Sequence, residues 1–128
     1  MYELHVKVVF VGDRPSRKNR HPEVALVGTK SYKIFLNWVY RLDLDINRIV
    51  LIDSVDEYGN DRLSRHTPDY SRVAFVALGA QAAARLKHHK IKHFVLPHPS
   101  EVERKPIDVR DLARLIYRCK KFINIAKN

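Results

Sequence analysis

The sequence predicts an α/β fold in which a parallel sheet is covered by helices on both faces. Two observations predict it. Short apolar runs rich in Val, Ile and Phe recur four times, and amphipathic or alanine-rich stretches alternate with them. The hydrophobic fraction of 45% is also enough to fill a core over 128 residues, which is the length of one domain.

The elements follow in order. Residues 5–11 form a run rich in Val and Phe that stops at Gly12 and Pro15, as a buried strand does. Residues 13–23 are polar and basic, carry two prolines, and read as a loop. Ile34, Phe35, Trp38, Val39 and Leu42 fall at helical spacing and predict an amphipathic helix over roughly 30–43. Residues 48–52 (R-I-V-L-I) give a second buried strand, and the polar stretch 54–72, with Gly59, Asn60 and Pro68, gives the longest loop. Residues 73–78 (V-A-F-V-A-L) form a third strand, Gly79 opens an alanine-rich helix over 80–88, and 92–96 form a fourth strand. In the last helix Asp108 is a good N-cap, Asp111 lies close to a capping-box position, and Ile107 with Leu112 suits a hydrophobic staple. Leu112, Leu115, Ile116, Cys119 and Ile123 line one face, with Arg114, Arg118 and Lys121 largely off it.

Charge is the unusual part of the composition. There are 24 Lys and Arg against 14 Asp and Glu, a net charge of +10. That excess suits a polyanionic partner, most often nucleic acid, and it also suits a protein that is merely soluble. The single cysteine excludes an internal disulfide and any cysteine-built zinc or iron–sulfur site. Cys119 itself reads as a small core residue, because neither a helix start nor an obvious base accompanies it. His88 and His89 are adjacent and point about 100° apart on a helix, with His93 on the next strand, so they suit a basic surface better than a metal site. No apolar run approaches the ~20 residues of a membrane span, and the first residues lack a secretory pattern. The expectation is a cytoplasmic or nucleoid-associated protein, neither secreted nor bound to a membrane.

Open parallel sheets bind ligands beyond the carboxyl ends of their strands. That rule singles out Gly12-Asp13-Arg14-Pro15-Ser16, Asp53-Ser54 and His98-Pro99-Ser100. Each is ordinary alone: a turn, a strand end, a proline-defined corner.

Taken together, in this order, they resemble the uracil-DNA glycosylase superfamily, most closely its iron–sulfur branch. V-V-F-V-G-D-R-P-S (8–16) resembles the first motif, and A-L-V-G-T-K-S (25–31) the segment before the first helix. L-D-L-D-I-N-R-I-V-L-I-D-S-V (42–55) resembles the entry to the second strand. V-A-F-V-A-L-G-A-Q-A-A-A-R-L (73–86) is similar to the third strand and its helix, and V-L-P-H-P-S-E-V-E-R-K-P (95–106) to the second motif. The resemblance implies a three-layer α/β/α sandwich with a four-stranded parallel sheet in the order 2-1-3-4. The branch's four cluster cysteines are missing.

The resemblance implies a DNA glycosylase-like protein that hydrolyses the N-glycosidic bond of a modified or damaged base. Asp13 would orient water or stabilise the charge developing on the sugar, and His98 would donate to the departing base. Gly12, Leu26 and Asp53 would form the base pocket, with leucine in place of the family's stacking phenylalanine. Arg14, Arg17, Lys18, Ser100, Arg104 and Lys105 would hold the nucleic-acid backbone, with Arg20 close by. This chemistry needs neither a metal nor a redox cofactor. Plain alternatives exist for each residue: Asp13 as a loop cap, Arg14 as part of a solvated basic loop, His98 as a turn residue.

The departures imply a second reading. Val102 and Glu103 replace the bulky apolar residues of the loop that wedges into duplex DNA. With so weak a wedge, single-stranded DNA should bind at least as well as duplex. A catalytically inactive member that binds single strands or a nucleotide in the same cleft fits the same residues. So does a protein that kept only the fold.

Overall fold

The computed structural model describes residues 7–13, 30–56, 58–63 and 73–126. In chain order the elements are β1 (Val8–Gly12), α1 (Lys30–Arg41), a 3-10 turn (Ile46–Arg48), β2 (Ile49–Asp53), β3 (Ala74–Leu78), α2 (Ala80–His88), β4 (His93–Leu96), α3 (Pro99–Arg104) and α4 (Val109–Ala126). The four strands are all parallel and ordered β2-β1-β3-β4. The architecture and strand order are those the sequence and the resemblance predict.

Two apolar layers explain why the central strands have no polar alternation. All five residues of β1 and all five of β3 are buried. Side chains alternate along each strand. Val8 and Phe10 therefore join Ala74, Val76 and Leu78 in one core, with Phe35, Trp38 and Val39 from α1 and Ile116, Cys119 and Ile123 from α4. Val9 and Val11 join Phe75 and Ala77 in the other, against Ala82 and Leu86 of α2. The rings of Phe10 and Phe35 meet edge to face, 4.9 Å apart at 86°, and seat α1 on the middle of the sheet. Burial pushes the Cys119 thiol up to about 12, so this side chain is packing and no nucleophile.

Several boundaries differ from expectation for local reasons. The first helix ends at Arg41 rather than 43: Leu42 stays buried, but Asp43 takes a left-handed φ of 56° that turns the chain away. Asp45 Oδ1 then accepts from the Asn47 backbone N–H at 2.9 Å and holds the 3-10 turn, which delays β2 to Ile49. Asp108 caps α4, accepting from the Arg110 N–H at 2.9 Å, whereas Asp111 lies 3.8 Å from Arg114. Part of the long polar loop is ordered around Asp56, whose Oδ1 accepts from the Tyr58 and Asn60 N–H groups, with Gly59 at φ 85°.

One element was missed by sequence reasoning. Residues expected to form a loop after the second motif form α3, started by His98 as N-cap and Pro99 in the first turn. Val102 is accordingly half-buried against the α1–α4 core, and Glu103 accepts a hydrogen bond from Ser31 Oγ of α1 at 3.0 Å. Neither residue is a wedge. Among the described residues, no helix is long and apolar enough to cross a membrane.

Gly79 joins β3 to α2 and fixes the distance to β4. Its φ and ψ of 96° and 169° lie in a region essentially reserved for glycine, and its N–H donates to the Leu96 carbonyl at 2.7 Å. A Cβ at this position would stand 3.2 Å from His98 Cβ. Gly79→Ala should therefore lower stability by about 2 kcal/mol in chemical denaturation, whereas Gly59→Ala, with open space around it, should cost less. Equal losses at the two positions would show that the approach to His98 is not tight.

Candidate functional site

The strand register delivers the functional residues to one rim. Gly12 at the end of β1 is paired with Asp53 at the end of β2, and Leu78 of β3 with Leu96 of β4. The chain beyond these pairs carries Asp13, Ser54 and His98 at the carboxyl edge of the sheet. A Cβ on Gly12 would lie 3.4 Å from Asp53 Oδ1, in van der Waals contact, so the two strand ends stand close together.

Asp13 and Ser54 are knotted together by backbone and side chain. The Ser54 N–H donates to the carbonyls of Gly12 (2.9 Å) and Asp13 (3.1 Å), and Ser54 Oγ donates to the Asp13 carbonyl at 2.9 Å. Arg85 of α2 closes the knot. Its Nη1 donates to Asp13 Oδ1 at 2.5 Å and to Ser54 Oγ at 2.6 Å, with the Asp13 carbonyl 3.4 Å away. The Asp13 side chain remains 37% exposed, and its charge is offset by the guanidinium.

Asp53 is the most constrained group. It is 1% exposed, and its Oδ2 has no hydrogen-bond partner among the described residues. Burial pushes its pKa up to about 6; the nearby Arg62 pulls it down, and the Asp13 charge pushes it further up. Asp53, Arg62 and Asp13 thus form one electrostatic unit, and the cost of ionising Asp53 is set mainly by its lack of water.

His98 has a defined tautomer. Its Nδ1 accepts from the Ser100 N–H at 3.0 Å and lies 2.7 Å from Ser100 Oγ. Burial lowers its pKa, against the upward pull of Glu101 and Asp13, while Arg104 pushes the same way as burial. The ring is therefore neutral at pH 7 and carries its proton on Nε2, which gives it one N–H to offer.

Of the sequence-based site residues, Gly12, Asp13, Asp53 and His98 come together at this rim. Ser100, expected to hold the nucleic-acid backbone, has its N–H and hydroxyl against the His98 ring, where they position that ring. Arg104 and Lys105 are exposed at the end of α3. Leu26, Arg14, Arg17, Lys18 and Arg20 lie outside the described residues. Sequence reasoning missed Arg85. The available signal was a cation directly following the alanine run of this helix, beside buried Leu86 and one turn from buried Ala82. The histidines are engaged separately: His89 Nε2 lies 2.5 Å from Asp61 Oδ2, and His93 Nδ1 lies 2.7 Å from the Ile91 carbonyl. No group of three or more metal-ligating side chains occurs among the described residues.

No family model matches the chain, and no curated protein matches it. The geometry of the rim is therefore what bears on function.

The Asp53 environment has a measurable pH signature. The folded pKa of about 6 lies above the ordinary 3.8, so the unfolded chain releases this proton first. Stability tied to Asp53 is complete below pH 3.8 and falls as the pH rises to 6, by about 3 kcal/mol. Asp53→Asn should flatten that fall and raise stability at pH 7, as read from denaturation midpoints across pH 3–8. An unchanged profile would mean that the carboxylate is well solvated.

Proposed function

We propose that the chain is a glycosylase of the uracil-DNA glycosylase design, cleaving the N-glycosidic bond of a modified or damaged base in DNA. The observation that carries this reading is the neutral His98, its proton held on Nε2 by Ser100, at the same rim as the Asp13 carboxylate. The bond between the sugar C1′ and the base nitrogen breaks, and its electron pair leaves with the base. The His98 N–H donates to the base carbonyl and stabilises the anion. Asp13 faces the cationic sugar and receives the proton of the water whose oxygen bonds to C1′. The products are an abasic site and the free base.

Asp53 points to the substrate class. An ionised carboxylate can only accept hydrogen bonds, and its buried Oδ2 lacks a donor among the described residues. A base edge bearing an amine would supply one once the cover over this oxygen opens, as an aspartate accepts from the exocyclic amine of cytosine. Uracil instead sets its O4 lone pairs against the carboxylate, at a cost of roughly 1–3 kcal/mol. Uracil release should therefore be weak, and Asp53→Asn should shift preference toward uracil, measured by competition between oligonucleotides bearing different bases. Efficient uracil release by the unsubstituted protein contradicts this assignment.

A second reading is favoured by Arg85. A guanidinium 2.5 Å from Asp13 offsets the field that a cationic sugar would meet, which suits a protein that binds a base or nucleotide without cleaving it. One experiment separates the two. Labelled oligonucleotides carrying a panel of modified bases are incubated with the protein and then treated with alkali to break abasic sites. The glycosylase reading expects strand breaks that fall about 100-fold in Asp13→Asn and by a smaller factor in His98→Ala, with DNA affinity retained. Binding without breaks for every base, persisting in Arg85→Ala, selects the second reading.

A further inference from the structure

Among the described residues, a strong charge asymmetry lies on the helical layer made by α1 and α4. These two helices carry eight of the 24 lysines and arginines and one of the 14 acidic residues. The layer is continuous, because Lys120 of α4 is bridged at 2.5 Å to Asp43, just past the end of α1. On α4 the cations are ordered. At 3.6 residues per turn, Arg110, Arg114, Tyr117, Arg118 and Lys121 fall within one arc of about 100°, opposite the buried Ile116, Cys119 and Ile123. All five are exposed, and they run for about 16 Å along the axis.

The local partners leave this stripe available. Among the described residues, Arg110 and Arg118 have no carboxylate partner, and Arg114 has only the distant Asp111 at 3.8 Å. Tyr117 stands 60% exposed in the middle of the stripe, with Lys121 Nζ 4.8 Å from its ring centroid. A large aromatic ring flanked by cations is the combination that single-stranded nucleic acid requires: charges to follow the phosphates and a π face for a base.

We propose that the outer face of α4 is a second binding surface, separate from the rim, for the backbone of single-stranded nucleic acid, with Tyr117 stacking on a base. The assignment does not depend on catalysis at the rim. A lipid surface fits less well. The apolar face of α4 is consumed by the core, and its exposed apolar residues Val109 and Ile125 stand about 24 Å apart near its ends, so no apolar stripe remains to enter a bilayer.

The test measures affinity for a labelled oligothymidylate as a function of salt. Replacing Arg110, Arg114 and Arg118 together by Glu should make the log–log slope shallower by about 2, since each phosphate contact on a single strand contributes about 0.7. Lys87→Glu, Lys90→Glu and Lys92→Glu combined change the net charge equally on the opposite layer and should move the slope far less. Tyr117→Ala should weaken binding about fivefold or more with the slope retained. All these side chains are exposed, all but Lys90 and Lys92 lie on helices, and circular dichroism melts verify that each variant is folded. A wild-type slope and affinity in the triple Arg variant overturns the proposal. So does capture by phosphatidylserine vesicles that oligothymidylate does not reverse. Asp13→Asn and His98→Ala should keep the wild-type slope, so failure of the rim chemistry and failure of the α4 surface are read independently.

Discussion

The rest of the structure follows from the burial of β1 and β3 on both faces. Ten consecutive-strand residues with no polar side chain cannot tolerate water on either side, so helices must cover both. That demand places α1 and α4 on one face and α2 on the other. It also forces every polar residue that follows a strand to one edge. The functional rim is a consequence of this arrangement: Asp13, Ser54 and His98 each lie just past the carboxyl end of a strand, at the same edge.

At that edge the fold has gathered more charge than it solvates. Two carboxylates act on each other across Gly12, and they are treated differently. Asp13 is exposed enough to keep a guanidinium partner, while Asp53 is sealed in with one oxygen unmatched. The helix opposite supplies Arg85 to one and the polar loop supplies Arg62 near the other. The pair is thus split into a neutralised, accessible acid and a buried one that is costly to ionise. Such separated environments are how sites assign distinct roles to like groups.

How legible this was depends on the range of each interaction. Strands were readable because their burial is written in consecutive residues. The helix face of Leu112, Ile116, Cys119 and Ile123 was readable because periodicity is local. The caps on Asp45 and Asp108 span two residues, and Asp108 was recognised. The missed α3 is six residues long and has almost no periodicity to display; its stability comes from Val102 in the core and the Glu103–Ser31 contact, both invisible in a linear reading. Arg85 was missed for the same reason, since its partner is 72 positions away. The rim position of Asp13, Asp53 and His98 was legible because the carboxyl-edge rule needs only element order. The engagement of Ser100 with the imidazole was not, because it depends on the ring's orientation.

The His98 contact to Ser100 has a mechanical side. Nδ1 is at once the acceptor that fixes the imidazole and the N-cap that fastens the first turn of α3. A proton added there removes the acceptor, so the Ser100 N–H loses its partner even though the Ser100 hydroxyl can turn to accept from the new N–H. Because burial lowers the folded pKa, the unfolded chain takes up this proton first, and stability tied to the ring is lost as the pH falls below about 6.5. Acid therefore loosens a helix as well as charging a ring. The same short helix carries Glu103, which accepts from Ser31 Oγ in the first turn of α1. The imidazole is a latch on α3: the proton that charges the ring is the one that unfastens the helix.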